Sequence, residues 1–305
     1  MSLCILGHEK TETNLRLMEE AKKHFDKVFY VPIDSIAIGL SDKFSISYRT
    51  TELLKFDAIL PRISKKLSSY GYQLLSLFPE DKFMPIRPIS FLLSTERFFL
   101  LTVLRKRGIP TINLHLTKTP KAASAVLEKS KFPVILRTGE KKTGIFVENK
   151  QEAVNVIDAL GTFKKSILIE EVVKDMVSVY VAEPDIIAAV KKKTKQKDVL
   201  FAKGDIKKTK LRAEVEQLAL DAAKAVDTQM ARIDISLNGS PKVIDIKLNP
   251  ELIKASKVTG VDLPKKIIES VHNNYQAHKE KPMLVKFFED AKSVVKDVLK
   301  SKQML

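Results

Sequence analysis

The sequence predicts a mixed fold, in which an α/β unit built on a doubly wound parallel sheet is followed by α+β units. The chain opens with an apolar strand at residues 2–6, a helix, and a second strand at residues 27–32, which is how a doubly wound sheet starts. Short strands and helices alternate through residues 109–171, as in an α+β unit. Two later runs, residues 231–237 and 242–248, alternate apolar and polar side chains around an Asn-Gly-Ser-Pro turn, which indicates a β-hairpin.

Composition is typical of a globular protein with two or three subdomains. The chain has 305 residues, of which 44% are hydrophobic and 30% charged. No apolar run approaches the ~18 residues of a membrane-spanning helix, and no signal-peptide pattern is present, so we expect no membrane span and a cytoplasmic location. Cys4 is the single cysteine, which excludes an intramolecular disulfide. Its apolar strand predicts a buried, unreactive thiol rather than a nucleophile.

The formal net charge of +16 suits a partner with negative charge: a nucleotide, a nucleic acid or an acidic peptide. The alternative is a lysine-rich surface of a heat-adapted protein. Residues 191–212 hold ten Lys or Arg residues against Asp198 and Asp205. This stretch suits acidic substrates, or it is a solvated basic loop. Phe201 is its only aromatic residue, so a nucleic-acid partner is not favoured.

Two positions in the predicted sheets suggest a site. Asp234 and Asp245 fall on neighbouring strands of the hairpin, and Mg²⁺ is typically held by one or two carboxylates together with nucleotide phosphates. The pair therefore indicates a metal–nucleotide site, with a solvated hairpin face as the alternative. Arg62 follows Pro61 at the carboxyl end of an apolar strand, where open α/β sheets bind ligands. It is a candidate anion contact, or else pairs with a surface acid.

The order of several segments resembles a known family. The succession FDAILPRIS, STERFFLLTVLRKRGIP, FPVILRTGEKKTGIFVE, ILIEEVV, IIAAVKKK, ARIDI, KVIDIKLNP and KVTGVDL is similar to ATP-grasp enzymes of the RimK type, carboxylate–amine ligases that add glutamate or related amino acids. The resemblance covers roughly residues 1–275. It implies an ATP-grasp fold with ATP held between two α+β blocks. It also implies an acyl-phosphate that is made from a substrate carboxylate and then attacked by an amine.

The resemblance also implies a domain organisation. We expect a pre-ATP-grasp α/β domain at residues 1–90, a lid subdomain at 91–171 and a C-terminal α+β subdomain carrying the metal hairpin at 172–280. Beyond the family match, residues 281–305 have the apolar periodicity of an amphipathic helix. That helix is expected to dock on its own domain or on a second copy in a homo-oligomer, with a membrane surface or a macromolecular partner as alternatives.

Nucleotide contacts follow from the resemblance position by position. Arg97 and Arg137 stand where the family has two ATP-binding lysines. Gly144 belongs to the phosphate loop, in which Lys141, Lys142 and Phe146 occupy usually small positions. The hinge segment matches the adenine-contacting strand of the family, and its residues are Glu170, Glu171, Val172 and Val173.

Metal and catalytic positions are carried over in the same way. Asp234 and Asp245 match two carboxylate ligands of Mg²⁺, with Asn249 as a further oxygen ligand. Lys247 replaces the usual asparagine; its ammonium takes the place of one of two Mg²⁺ ions, or it closes the metal site as an ion-pair partner. Arg62 and Lys247 are the predicted catalytic residues.

Two function classes remain open from the sequence. The first is an active ligase that uses ATP, Mg²⁺ and an acidic small-molecule or peptide carboxylate. The second is an ATP-grasp fold that has lost catalysis and serves as a nucleotide-binding or regulatory subunit. This alternative is motivated by the departures from the family pattern at the two lysines, the phosphate loop and the metal asparagine. Met176 and Ser178 at the ribose-contacting positions of the family are further departures.

Overall fold

The structure of the protein is a computed structural model that describes residues 1–138, 144–161, 166–193 and 204–280. The predictions for Lys141 and Lys142, for part of the basic stretch, and for the helix at residues 281–305 lie outside the described residues. Within these ranges no helix is long and apolar enough to cross a membrane.

The N-terminal part contains a parallel three-stranded sheet, in the order β2-β1-β6, and a small antiparallel sheet of β3, β4 and β5. The elements are β1 Ser2–Gly7, α1 Glu12–Ala21, β2 Lys27–Pro32, β3 Ala37–Leu40, β4 Phe44–Tyr48, β5 Thr51–Glu52, β6 Ala58–Arg62, α2 Ser68–Leu75 and α3 Pro88–Leu93. The predicted β-α-β opening with parallel strands is thus confirmed. Arg62 is the last residue of β6, at the carboxyl edge of the sheet.

The middle of the chain forms a four-stranded antiparallel sheet in the order β7-β10-β8-β9, which we call the lid sheet. Its elements and the preceding helix are α4 Arg97–Lys106, β7 Leu114–Thr117, α5 Pro120–Leu127, β8 Val134–Thr138, β9 Ile145–Val147, α6 Lys150–Gly161 and β10 Ile167–Glu171. One face of the sheet packs on α5 and α6 in a core of its own, which includes Leu136, Ile167 and Ile169. The alternate residues of β8 and β10 therefore point away from this core.

The C-terminal part forms a five-stranded antiparallel sheet in the order β13-β12-β11-β14-β15, which we call the floor sheet. Its elements are β11 Met176–Ala182, β12 Asp185–Lys193, β13 Asp205–Lys208, α7 Ala213–Lys224, β14 Met230–Ser236, β15 Lys242–Lys247, α8 Ile253–Thr259 and α9 Leu263–Glu280. Strands β14 and β15 pair directly, so the predicted hairpin is confirmed.

One hydrophobic core joins the N-terminal sheet to the floor sheet. It includes Leu3 in β1 and Ile233 in β14. Helix α9 of the C-terminal part also packs against α1 of the N-terminal part. Cys4 lies in this core without exposed surface, and burial raises the pKa of its thiol. The prediction that Cys4 is buried is confirmed, and a raised thiol pKa is consistent with low reactivity.

Candidate active site

Five polar side chains line one face of the floor sheet, which we call the polar face: Ser178, Arg232, Asp234, Asp245 and Lys247. Asp234 is directly opposite both Ser178 and Asp245, and Arg232 is opposite Lys247. Because residues i and i+2 of a strand share a face, the five side chains project to the same side.

Asp234 is the buried centre of the polar face, with 1% of its surface exposed. Its Oδ1 accepts hydrogen bonds from Ser178 Oγ at 2.6 Å and Arg232 Nε at 2.9 Å. Its Oδ2 lies 2.8 Å from Arg232 Nη2 and 3.5 Å from Lys247 Nζ. Burial alone raises the pKa of this carboxyl group, but the attraction of Arg232 and Lys247 and the hydrogen bonds outweigh it and leave the pKa below its usual value.

The arrangement changes which residues can hold Mg²⁺. Both oxygens of Asp234 already have cationic partners, and the Asn249 side chain is turned to the carbonyl of Arg62, to which its Nδ2 donates at 3.1 Å. Asp245 is half-buried, and its Oδ1 accepts a hydrogen bond from the N–H of Ile246 at 3.0 Å. Among the described residues no group of three or more His, Cys, Asp or Glu side chains could hold a metal ion. The donor set fits one Mg²⁺ through Asp245 and phosphate oxygens, not two.

A second charged cluster lies on the face of the lid sheet turned away from its own core. Glu170 in β10 accepts a hydrogen bond from Arg137 Nε in β8 at 2.6 Å, and its other carboxylate oxygen pairs with Arg97 Nη1 from the start of α4. All three side chains are at least nine-tenths buried. The two arginines predicted to contact the nucleotide are therefore brought together by one of the predicted hinge residues.

A β-bulge connects this cluster to the floor sheet. The pairing of β14 with β15 skips Ile244, and Arg97 Nε donates to the carbonyl of this extra residue at 3.1 Å. The remaining Arg97 nitrogen, Nη2, is buried and has no hydrogen-bond partner in the described part of the chain. A buried guanidinium N–H without an acceptor is costly, so this position fits an oxygen of an anionic ligand such as a phosphate.

The hinge that follows Glu170 is held between the two sheets. Glu171 accepts a hydrogen bond from Asn113 Nδ2 at 2.7 Å and pairs with Lys242 Nζ at 3.3 Å. Val172 and Val173 are buried, as an apolar slot for a base requires. Gly144 lies immediately before β9 and is half-buried. The adjoining loop residues 139–143 are outside the described part of the chain.

Arg62 is fully enclosed where the N-terminal sheet meets the floor sheet, and 2% of its surface is exposed. Its Nε donates to Asn14 Oδ1 at 3.0 Å and its Nη2 to the carbonyl of Pro250 at 2.8 Å, while Nη1 has no partner among the described residues. Burial lowers the pKa of Arg62 to about 10, against the attraction of Glu251 and Tyr30. The group stays protonated at neutral pH.

The ribose-contacting positions of the family have other partners here. Met176 is buried in the core, and Ser178 donates to Asp234. Asp175, which directly precedes Met176, pairs with Lys191 Nζ at 2.6 Å.

Three contributors were missed by sequence reasoning: Arg232, Glu251 and Thr13. Arg232 is two residues from Asp234, so strand alternation already placed both on one face. Glu251 accepts a hydrogen bond from Thr13 Oγ1 at 2.7 Å, across 238 positions of sequence. No local pattern signals that contact.

Comparison with known proteins identifies the family. Residues 1–87 match the RimK PreATP-grasp domain, and residues 94–271 match the RimK-like ATP-grasp domain, which is more than half of the chain. A probable alpha-L-glutamate ligase of Nitrosococcus oceani is 26% identical over 292 residues, covering 90% of this chain and 96% of its own. The ribosomal protein bS6–L-glutamate ligase of Escherichia coli is 25% identical over 243 residues, covering 75% of this chain and 81% of its own.

Solved structures confirm the fold. The ATP-grasp ligase PsnB, complexed with precursor peptide PsnA2 and AMPPNP, has a TM-score of 0.71 at 15% identity and covers 90% of this chain and 98% of its own. D-alanine–D-alanine ligase from Bacillus anthracis, complexed with ATP, has a TM-score of 0.61 at 15% identity, covering 92% and 100%. The predicted ATP-grasp fold with a pre-ATP-grasp domain is therefore confirmed, and the chain belongs to the RimK-like ATP-grasp family of carboxylate–amine ligases.

Proposed function

We propose that this protein joins an amino acid such as glutamate to an acceptor carboxylate, with ATP as the energy source. The observation that carries the proposal is Arg97 Nη2, which is buried between the lid and floor sheets and has no hydrogen-bond partner among the described residues. In the proposed complex this nitrogen donates to a phosphate oxygen of ATP, and it lies within the residues that match the RimK-like ATP-grasp domain. The relatives named as glutamate ligases support the reaction type.

Arg97 and Arg137 are the proposed phosphate contacts. Both are held by Glu170, so their positions are fixed before a nucleotide arrives. The adenine is proposed to lie against Val172 and Val173. Glu171 borders this slot and is tied to Asn113 and Lys242, which keeps the hinge between the two sheets in place.

The proposed reaction has two steps. A carboxylate oxygen of the acceptor attacks the terminal phosphorus of ATP, ADP leaves, and an acyl-phosphate forms. The amine nitrogen then attacks the acyl carbon, inorganic phosphate leaves, and the amine gives up a proton. Both steps build negative charge on phosphoryl oxygens, which cationic side chains stabilise. Arg97 and Arg137 are the buried candidates for this role, and Lys247, with 44% of its side chain exposed, is the accessible one.

The acceptor is proposed to be an acidic small molecule or a peptide carboxylate. Arg62, at the carboxyl edge of the N-terminal sheet, keeps its charge at neutral pH and has one unpartnered Nη1 within the described residues. Lys207, Lys208 and Lys210 are exposed on and beside β13 and add positive charge to the floor sheet. This charge favours negatively charged acceptors.

One Mg²⁺ is proposed to accompany ATP, with Asp245 as its protein ligand. A carboxylate plus phosphate oxygens and water is a usual environment for this ion. When bound, it neutralises phosphate charge.

A coupled assay of ADP release tests the proposed function. The full chain is incubated with Mg-ATP, glutamate and a series of acidic small molecules and peptides with free carboxylates, and products are identified by mass spectrometry. We expect ADP release that depends on both the acceptor and the amine, with one amide formed per ADP. Nucleotide binding without amine-dependent ADP release across the series contradicts the proposal.

A further inference from the structure

The polar face carries two cationic side chains, Arg232 and Lys247, beside its two aspartates. Asp234 and Asp245 alone would give this face two negative charges, which a divalent ion neutralises. Arg232 and Lys247 lie opposite each other on the same face, two residues along each strand from the pair of Asp234 and Asp245. They bring two positive charges, equal to the charge of one Mg²⁺.

The cation pair is built into the fold. Arg232 holds Asp234 through two hydrogen bonds, at 2.9 and 2.8 Å, in the bidentate geometry that suits a guanidinium and a carboxylate. Ser178 completes the set at 2.6 Å. A metal ion on Asp234 would have to displace Arg232 and leave a guanidinium beside a divalent cation. Charge repulsion and a broken buried pair both oppose that exchange.

The two cations differ in access. Arg232 keeps 21% of its side-chain surface exposed, whereas Lys247 keeps 44% exposed at the end of β15. Lys247 Nζ is 3.5 Å from Asp234 Oδ2, so the buried carboxylate holds the ammonium near the polar face while leaving most of its N–H donors available. An ammonium presented in this way can donate to phosphate oxygens.

We infer that Arg232 and Lys247 together replace one divalent cation, so that the complex with ATP binds a single metal ion, at Asp245. Asp234 is then a counter-ion that positions the two cations and does not ligate metal. This inference rests on the proposed function, because it requires a nucleotide beside the polar face.

Counting bound Mn²⁺ tests the inference without turnover. Free Mn²⁺ is measured by electron paramagnetic resonance during titration of the full chain saturated with a non-hydrolysable ATP analogue. The same titration without protein corrects for metal bound by free nucleotide. We expect one Mn²⁺ per bound nucleotide in the wild type. The double variant Arg232→Gln/Lys247→Asn removes both cations and provides two amide oxygens, and it is expected to bind two Mn²⁺ ions per nucleotide.

Lys247→Asn alone is the second variant, since it leaves the Arg232–Asp234 pair intact and preserves folding. When a chelator removes the metal, the affinity of this variant for the analogue is expected to fall by a larger factor than the affinity of the wild type. Lys224→Asn, an exposed position in α7, is the matched control and is expected to bind as the wild type does.

Each outcome has a separate meaning. Two Mn²⁺ ions per nucleotide in the wild type overturn the inference and leave the proposed function standing. One Mn²⁺ in both the wild type and a folded double variant overturns the assignment to Arg232 and Lys247. Absence of analogue binding under every metal condition overturns the proposed function and the inference together.

Discussion

Glu170 accepts a hydrogen bond from Arg137 Nε at 2.6 Å, between two neighbouring strands of the lid sheet. The other oxygen of the same carboxylate pairs with Arg97 at the start of α4. One buried acid therefore holds two buried arginines that come from elements 40 residues apart in sequence. This network aligns the guanidinium groups and connects the lid sheet to α4, and through Ile244 to the floor sheet.

Glu170→Ala is expected to lower the free energy of unfolding by about 3–5 kcal/mol, because it leaves two buried guanidinium groups without their counter-ion. Denaturant titration measures the loss. Glu128→Ala is the control: its pair with Lys150 joins exposed side chains in the same part of the chain and contributes less than about 1 kcal/mol. Equal losses in the two variants would show that Glu170 does not stabilise the cluster.

Arg97→Ala is expected to weaken ATP binding by about 1–3 kcal/mol, the scale for removing one partner of a charged hydrogen bond. Calorimetry on the folded variant gives the affinity. Arg105→Ala serves as the control, since Arg105 lies on the same helix and donates to the carbonyls of Thr111 and Ile112 instead. An unchanged affinity in Arg97→Ala would remove this residue from the nucleotide site.

The lowered pKa of Asp234 predicts how the stability of the protein depends on pH. Its pKa is lower in the folded state than in the unfolded chain, so its contribution to stability is complete above the unfolded value of about 3.9 and is lost as the pH falls through the folded value. Asp234→Asn is expected to cost about 1.5–3 kcal/mol at neutral pH. Denaturant titrations of both proteins should show this difference shrinking below about pH 4. A difference that grows on acidification would contradict the assignment.

Strand alternation predicted more of the site than composition did. It placed Asp234 and Asp245 on neighbouring strands, and the structure pairs them directly. It also implied that Arg232 shares a face with Asp234, although not that the guanidinium binds this carboxylate with both oxygens engaged. The choice of partner depends on burial, which leaves Asp234 1% exposed and makes an unpaired charge there costly.

Contacts between distant segments could not be read from the sequence. Arg97 and Glu170 are 73 positions apart, and Arg62 and Pro250 are 188 apart. Each contact requires the relative placement of segments that are distant in sequence, which local periodicity does not specify. The bulge at Ile244 belongs to the same class: the alternating hairpin pattern predicts two strands, but the irregular register that offers a carbonyl to Arg97 follows from packing.

Variants at Arg62 and at its partner Asn14 distinguish a positioning role of Arg62 from a direct contact with the acceptor. Arg62→Lys keeps a positive charge but loses the planar fork that reaches Asn14 and Pro250 together, so we expect a loss of about 1–3 kcal/mol in stability. If Nη1 also contacts the acceptor carboxylate, the KM for the acceptor should rise by at least about tenfold, which corresponds to 1.4 kcal/mol.

Asn14→Ala is the matched variant for this prediction, because it removes one partner of Arg62 while leaving the guanidinium in place. It should lower stability by a similar amount and change the KM for the acceptor by less. Steady-state kinetics with the acceptor varied at saturating ATP, together with denaturant titration of the same samples, gives both quantities. Equal changes in KM for Arg62→Lys and Asn14→Ala would mean that Arg62 only holds the N-terminal sheet against the floor sheet. A change confined to Arg62→Lys assigns Arg62 to the acceptor, because only that variant removes Nη1, the proposed donor to the acceptor carboxylate.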